Sequence, residues 1–448
     1  MQVLESQLGE RLLRPSSDVF DAAVQVEFAG EQRVPAAVVQ VADTEEVAAT
    51  VRAARDGGMP VAVRSGGHSY ARHGLADGAL VIDTRRMDGV DIDAAAQTGW
   101  AQAGVTAGAY TRTAGAHGLA TGFGDAPTVG VAGVALGGGI GFLSRRDGLT
   151  VDNIVSAEVV LADGRVVVAD SEQHRDLFWA LRGGGGNFGV VTRLGLHLRP
   201  TKQVTGGMLA FPPTPELVAG AVNAVVDAPD GLSAMINVMK APPAPFLPEA
   251  MHGEPLVLVL LCWSGPPEEA EAAIAPMRAL GPALVDQVAE RPYPEMLEGP
   301  PSTGEVAHPV MRTGFVDRPD AAWGAAAIDG IAAAVSPVAA VNIRPMGGAI
   351  GRVAGDSTAF AHRDHDVMAS VAGVFPDATL APDVNDWATR TAGALGIGGG
   401  GYVNFMSTAT QADVDAAYPG ATLDRLRQVK RTYDPDNVFR SNHNITPG

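Results

Sequence analysis

Short apolar runs broken by glycine, proline and aspartate alternate with helical spacing from Pro35 to about Pro200. Val61 to Arg64, Ala79 to Asp83, Ile154 to Leu161 and Val166 to Ala169 predict strands, and Ala162-Asp163-Gly164 turns the last two into a hairpin. Thr44 to Asp56 carries apolar residues at three-to-four spacing, acidic residues in its first turn and Thr44 as a cap, which predicts a helix. Beyond Pro200, proline clusters at Phe211 to Pro215, Ala241 to Pro248 and Glu298 to Pro301 separate strand-like runs such as Pro255 to Trp263 from Ala-rich helical stretches. Such punctuation predicts a second lobe built on an antiparallel sheet. The final segment has a strand-like start at Tyr402, a helix over Leu423 to Tyr433 and a turn at Asp434-Pro435-Asp436-Asn437. The expected fold is α+β in two lobes, residues 1–203 and 204–401, with 402–448 returning to the first; 448 residues suffice for two cores.

Charge narrows the partners. A formal net charge of −18 opposes nucleic acid and anionic membrane, both of which need a basic face, and leaves a small molecule bound by a monomer or homodimer. The single cysteine, Cys262, excludes an intramolecular disulfide, a CxxC pair and a cysteine-rich zinc site; its apolar setting from Leu256 to Trp263 predicts a buried strand residue. Met1 to Arg14 lacks the continuous apolar core of a signal peptide, and no run approaches the roughly 20 apolar residues of a spanning helix, so a cytoplasmic protein is expected. Abundant Ala and Gly with few Lys associate the chain with a high-GC bacterial source. His362 and His365 are too loosely spaced for a metal site, none of which is expected, and His117 before Gly118 suits a helix C-terminus.

Three glycine-rich stretches remain. Val61-Ala-Val-Arg-Ser-Gly-Gly-His-Ser-Tyr70 runs a strand into a turn whose Gly66 and Gly67 let amide N–H groups converge on an anion, although an ordinary tight turn reads equally well; it is neither GxGxxG nor a P-loop. Gly130 to Phe142 and Leu181 to Val191 interleave glycine with Val, Ala, Leu, Ile and Phe, which predicts ordered backbone close to something flat.

RSGGHS at 64–69, GVAGVALGGGIGFLSRRDGLTVDN at 130–153, LFWALRGGGGNFGVVT at 177–192, TAFAHR at 358–363, YVNF at 402–405 and YDPDNVF at 433–439 together resemble the PCMH-type FAD oxidases of the vanillyl-alcohol oxidase superfamily, berberine-bridge-enzyme-like branch. The ending RLRQVKRTYDPDNVFRSNHNI is most similar to the bacterial 6-hydroxy-D-nicotine oxidase subgroup.

The resemblance implies FAD cradled at its pyrophosphate by Arg64, Ser65, Gly66, Gly67 and Ser69 and bonded through its 8α-methyl carbon to His68. It implies further cofactor contacts from Gly124, Val129, Gly130, Gly133, Leu136, Gly137, Gly138, Gly141, Gly148, Asp152, Asn153, Gly189, Val190, Val191, Asn404 and Asn442. Ala126 stands where many relatives carry a second, cysteinyl attachment, so one bond is expected. Tyr402 and Asn404, two apart on a presumed strand, would share a face toward the substrate, Tyr402 orienting or taking its proton. Arg344, in Val341-Asn-Ile-Arg-Pro345, is expected on a central strand as a cation beside Tyr402, a grip on an anionic substrate, or a structural salt bridge. The implied reaction removes a hydride from a C–H beside O or N of an alcohol, sugar, phenol or amine, and dioxygen reoxidises the flavin to give hydrogen peroxide. Rival readings are a dehydrogenase or oxidative cyclase, an NADPH-dependent reductase with non-covalent FAD, and a cofactor-carrying protein without turnover.

Overall fold

Val61–Arg64 and Ala37–Gln40 both pair parallel with Leu80–Asp83, and Leu12–Leu13 closes the far edge, giving a four-stranded sheet. The computed structural model that shows this describes residues 2–244, 247, 249–298, 307–398 and 400–448; Pro245, Pro248 and Gly299 to Pro301 of the proline clusters lie outside the described residues. The helix Thr44–Asp56 connects two of the parallel strands and buries Val47, Val51 and Ala54. Its cap is Asp43, whose carboxylate accepts from the Glu46 N–H; the expected cap, Thr44, instead donates to Glu158 at 2.6 Å. The residue before the first helical turn has the extended backbone a cap needs, and Asp43 holds that place.

A five-stranded antiparallel sheet follows, in the order Val90–Asp93, Thr98–Gln102, Val190–His197, Ile154–Val160, Val166–Asp170. The expected hairpin is present, with Gly164 at φ +80 where a side chain would be strained.

The third sheet is antiparallel throughout, running Val285–Asp286, Gln203–Phe211, Pro255–Trp263, Leu232–Lys240, Val338–Pro345, Val367–Phe375, His308–Val316, with Ala289–Pro292 beside Gln203–Phe211. Strand side chains alternate between two faces. One face carries Ile236, Val259, Val341, Ile343 and Val371 into a core shared with the helices Pro215–Val226, Ala321–Ala332 and Ala381–Ala394. The opposite face is free to present polar residues elsewhere. Cys262 is buried on Pro255–Trp263, as its apolar setting predicts.

The C-terminal segment packs back on the first two sheets. Leu423, Leu426 and Ile445 join the core of the five-stranded sheet, while Val438 and Phe439 join that of the four-stranded one. A buried ion pair sets this return. Lys430 Nζ, on the helix Ala421–Tyr433, bonds Asp434 at 2.6 Å and also donates to the carbonyls of Asn187 (2.7 Å) and Phe439 (3.0 Å). Asp434 accepts the N–H groups of Val438 and Phe439 at 2.8 and 2.9 Å, so neither charge lacks a partner. Residues 402–405 depart from expectation: Val403–Phe405 is a 3-10 turn, and Tyr402 enters it from extended backbone.

Removing Asp434 strands the Lys430 ammonium in the interior. Asp434→Ala is expected to lower the unfolding free energy by about 3–5 kcal/mol, with a matching fall in the denaturation midpoint; a change below about 1 kcal/mol by chemical denaturation contradicts the role given to the pair.

Candidate active site

A cavity of about 500 Å³ opens where the three sheets meet, within the size range of sites for small molecules and cofactors. The turn after Val61–Arg64, residues 124–137, the 184–191 stretch, the 402–405 turn and the 441–443 tail form most of its wall. The polar face of the third sheet supplies the rest through Asn237, Asn342, Arg344 and Ser370.

The glycines fall into two groups. A Cβ on Gly66 would sit 2.4 Å from the Gly130 nitrogen, and one on Gly130 would sit 2.1 Å from Ser65 Oγ, so these glycines let two protein backbones touch. A Cβ on Gly137 would meet Asn404 Oδ1 at 2.1 Å, and one on Gly138 would meet the Tyr402 ring at 2.8 Å. Those two make room for protein side chains. At Gly124, Gly133, Gly185 and Gly186 the added Cβ meets nothing within 4 Å, and all four line the cavity. Gly133 lies inside the helix Val131–Gly137, where glycine destabilises by about 1 kcal/mol relative to alanine, and no protein atom requires it.

His68 lines the cavity with its side chain 18% exposed, and its Nε2 lies 3.9 Å from Glu27 Oε2. Burial lowers its pKa against the opposing pull of Glu27, which favours the neutral ring and its nitrogen lone pair. Arg64 stands behind the turn, its guanidinium bonded to the carbonyls of Ala23 and Gln25, and burial brings its pKa down to about 10. His73 and His443 meet edge to face at 4.5 Å; burial lowers His73 well below the usual histidine range and His443 to about 4.

Tyr402 and Asn404 converge despite lying on a turn. Tyr402 Oη accepts from the Gly139 N–H at 2.8 Å and from Asn404 Nδ2 at 3.0 Å, and Asn404 Nδ2 also donates to the Val134 carbonyl at 3.1 Å. Burial raises the Tyr402 pKa and outweighs these donors and the nearby Arg344 charge, so the phenol is protonated at neutral pH. With both lone pairs engaged, its own hydrogen remains to be given. Arg344 does lie on an inner strand, and its guanidinium is largely committed: Nη2 to Asp125 at 2.9 Å, Nη1 to the Ile140 carbonyl at 2.8 Å, Nε to Asn342 at 3.0 Å. The salt bridge is therefore present in this geometry, with a residual field at Tyr402.

Arg64, Ser65, Gly66, Gly67, His68, Ser69, Gly124, Val129, Gly130, Gly133, Leu136, Gly137, Gly189, Val190, Val191, Asn404 and Asn442 all line the cavity, as do Tyr402 and Arg344. Gly138, Gly141, Gly148, Asp152 and Asn153 do not. Gly138 backs Tyr402 as described; a Cβ on Gly141 would fall 1.5 Å from the Phe123 carbonyl oxygen. Gly148 ends a helix at φ +86, Asp152 pairs with Arg363 at 2.6 Å, and Asn153 donates to the carbonyls of Asp147 and Leu149. Ala126 lines the cavity, whereas Cys262 does not, and burial pushes its thiol up to about 12. His362 stacks on Phe315 and bonds the Ala417 carbonyl, and His365 faces Asp317.

Sequence reasoning missed Asn237, Asn342 and Ser370, which are cross-strand neighbours in register on one face. The signal was available: Asn342 lies two residues before Arg344, on the same face of the same strand. Tyr70, stacked on Phe28 at 4.6 Å and pushed up to about 12 by burial, was also missed, as was Asp125 as the partner of Arg344.

Two families match the chain: "FAD binding domain" over residues 35–170 and "Berberine and berberine like" over 401–446. (R)-6-hydroxynicotine oxidase of Paenarthrobacter nicotinovorans is 31% identical over 450 residues, covering 97% of this chain and 96% of that protein. The crystal structure of 6-hydroxy-D-nicotine oxidase from Arthrobacter nicotinovorans superposes with a TM-score of 0.88 at 30% identity, covering 98% of both chains. Xylooligosaccharide oxidase from Myceliophthora thermophila, solved with xylobiose, gives 0.85 at 25% identity and covers 99% of both chains. Likeness along nearly the whole chain, together with a glycine-lined cavity bounded by both matched segments, shows that this protein belongs to the berberine-bridge-like family of FAD-linked oxidoreductases.

Proposed function

We propose that this protein is an oxidase that holds FAD by one covalent bond through His68 and takes a hydride from a C–H beside O or N of a small substrate. The observation that carries the reading is Gly133 with Gly124 and Gly186: cavity-lining glycines that no described protein atom and no left-handed backbone explains and that a flat ligand does. The neutral His68 ring, with a lone pair to share, and Ala126 in place of a second nucleophile support attachment at a single point. Bound there, FAD supplies the hydride acceptor, and dioxygen regenerates it.

Residues 1–203 with 402–448 supply most of the wall and are assigned the cofactor; 204–401 contribute the Asn237, Asn342 and Ser370 face and are assigned the substrate. Tyr402 is assigned the proton. The N–H donors of Gly139 and Asn404 hold its oxygen in place and favour its phenolate, while burial delays ionisation to alkaline pH. Asn404 positions that oxygen through two bonds from one amide nitrogen. Arg344, neutralised by Asp125, holds the third sheet against the loop at Ile140 and keeps a weaker field on Tyr402.

Screening alcohols, sugars, phenols and cyclic amines should yield at least one that bleaches the flavin anaerobically, with colour restored by air and peroxide released. A donor-independent yellow protein, or one bleached only by NADPH, contradicts the reading. Gly133→Leu is expected to fold with stability no lower than the wild type, because the space is open and leucine favours helix, yet to carry less than about a tenth of the flavin; full flavin content by absorbance would remove the main support for the site. With a substrate in hand, the anaerobic reduction rate should climb with pH across the alkaline range as Tyr402 ionises. Tyr402→Phe should flatten that rise and slow reduction at least about tenfold, leaving reoxidation by air little changed. An unaltered profile in stopped-flow traces moves the base elsewhere.

A further inference from the structure

We infer that Glu27 is the positioning residue that prepares His68 for its bond to the flavin, orienting the ring through Nε2 and removing the Nε2 proton as the other nitrogen is alkylated. The inference rests on the His68 attachment proposed above. Its geometric basis is a clamp between the N-terminal segment and the histidine turn. Arg64 bonds the carbonyls of Ala23 and Gln25, the Glu27 N–H donates to the Gly67 carbonyl at 3.2 Å, and Phe28 stacks on Tyr70 at 4.6 Å. The segment is thus fastened before, at and after residue 27. Glu27 has its backbone pinned to the residue preceding His68, and its carboxylate Oε2 reaches 3.9 Å from His68 Nε2. That separation is too long for a hydrogen bond as it stands, and the role inferred here requires the carboxylate to close it. Glu27 is 38% exposed at its side chain, so bulk solvent reaches it.

The chemistry follows from the two ring nitrogens. A neutral imidazole has one N–H and one lone pair, and a carboxylate can only accept. Facing Glu27, Nε2 carries the hydrogen and Nδ1 keeps the lone pair. In the attachment, the 8α-methyl carbon loses a proton to solvent and gains a bond from Nδ1. The Nε2 proton passes to Glu27, which leaves the alkylated ring neutral. The two electrons of the broken C–H bond remain on the flavin until dioxygen takes them with two protons as hydrogen peroxide. Every atom and electron is then placed, and the oxidant is the one the proposed oxidase reaction already uses.

The test measures attachment instead of turnover. Wild type, Glu27→Gln and Glu27→Ala are purified, total FAD per chain is measured, and the share that stays with acid-precipitated protein is followed during aerobic incubation with added FAD. Glu27→Gln is expected to bind the same total FAD but to convert it to the bound form at least about tenfold more slowly. Formate, a small carboxylate, is expected to restore conversion in Glu27→Ala, which a purely structural role would not allow. Conversion of Glu27→Gln at the wild-type rate, loss of its total FAD, or failure of formate to help overturns the inference while leaving His68 as the anchor. A wild-type precipitate with no flavin overturns the attachment and this inference together.

Discussion

Two backbones in direct contact, Gly66 against Gly130, fix where everything else in the site can stand. A methyl group on either would fall within 2.4 Å of the opposite chain, closer than real Cβ atoms approach. This contact joins the turn that follows the four-stranded sheet to the loop that leads into the helix Val131–Gly137. It places His68 and the helix's open glycine side on one cavity. Substitution at either glycine would separate the two walls before any cofactor arrived, so these positions serve the fold first and the ligand through it.

The third sheet completes the site from the other side with a ladder of fixed direction. Arg344 can only donate, so Asn342 must turn its oxygen toward it, and Asn342 Nδ2 in turn donates to Asn237 Oδ1 at 2.7 Å. The Asn237 amide nitrogen is left without a protein acceptor among the described residues, and Ser370 Oγ next along the row is also unpaired. The cavity thus receives hydrogen-bond donors from the third sheet, which suit a substrate presenting an acceptor atom beside the bond to be oxidised.

Much of this was legible in the chain. Val61 to Arg64 and Pro255 to Trp263 show as strands because their apolar runs are bounded by glycine and proline, and the structure keeps those bounds. The family motifs brought most of the cavity wall to view. Among the glycines, what failed shares one cause: glycine has no side chain to say which neighbour needs its absence. Gly141, answering to Phe123, and Gly133, answering to no protein atom, look alike in sequence. Tyr402 and Asn404 meet through a turn where a strand was expected, because Asn404 Nδ2 reaches back to Tyr402 Oη within the turn. Glu27 lay beyond inference, since its relation to His68 depends on a clamp formed by backbone carbonyls.

The claim that binds these observations is that this cavity holds FAD by a single bond at His68. The most direct measurement is to denature the purified protein, digest it and locate flavin among the peptides by mass spectrometry. The account predicts flavin on the peptide that carries His68 and on no other. Flavin on the Cys262 peptide, or no flavin on any peptide, would contradict it.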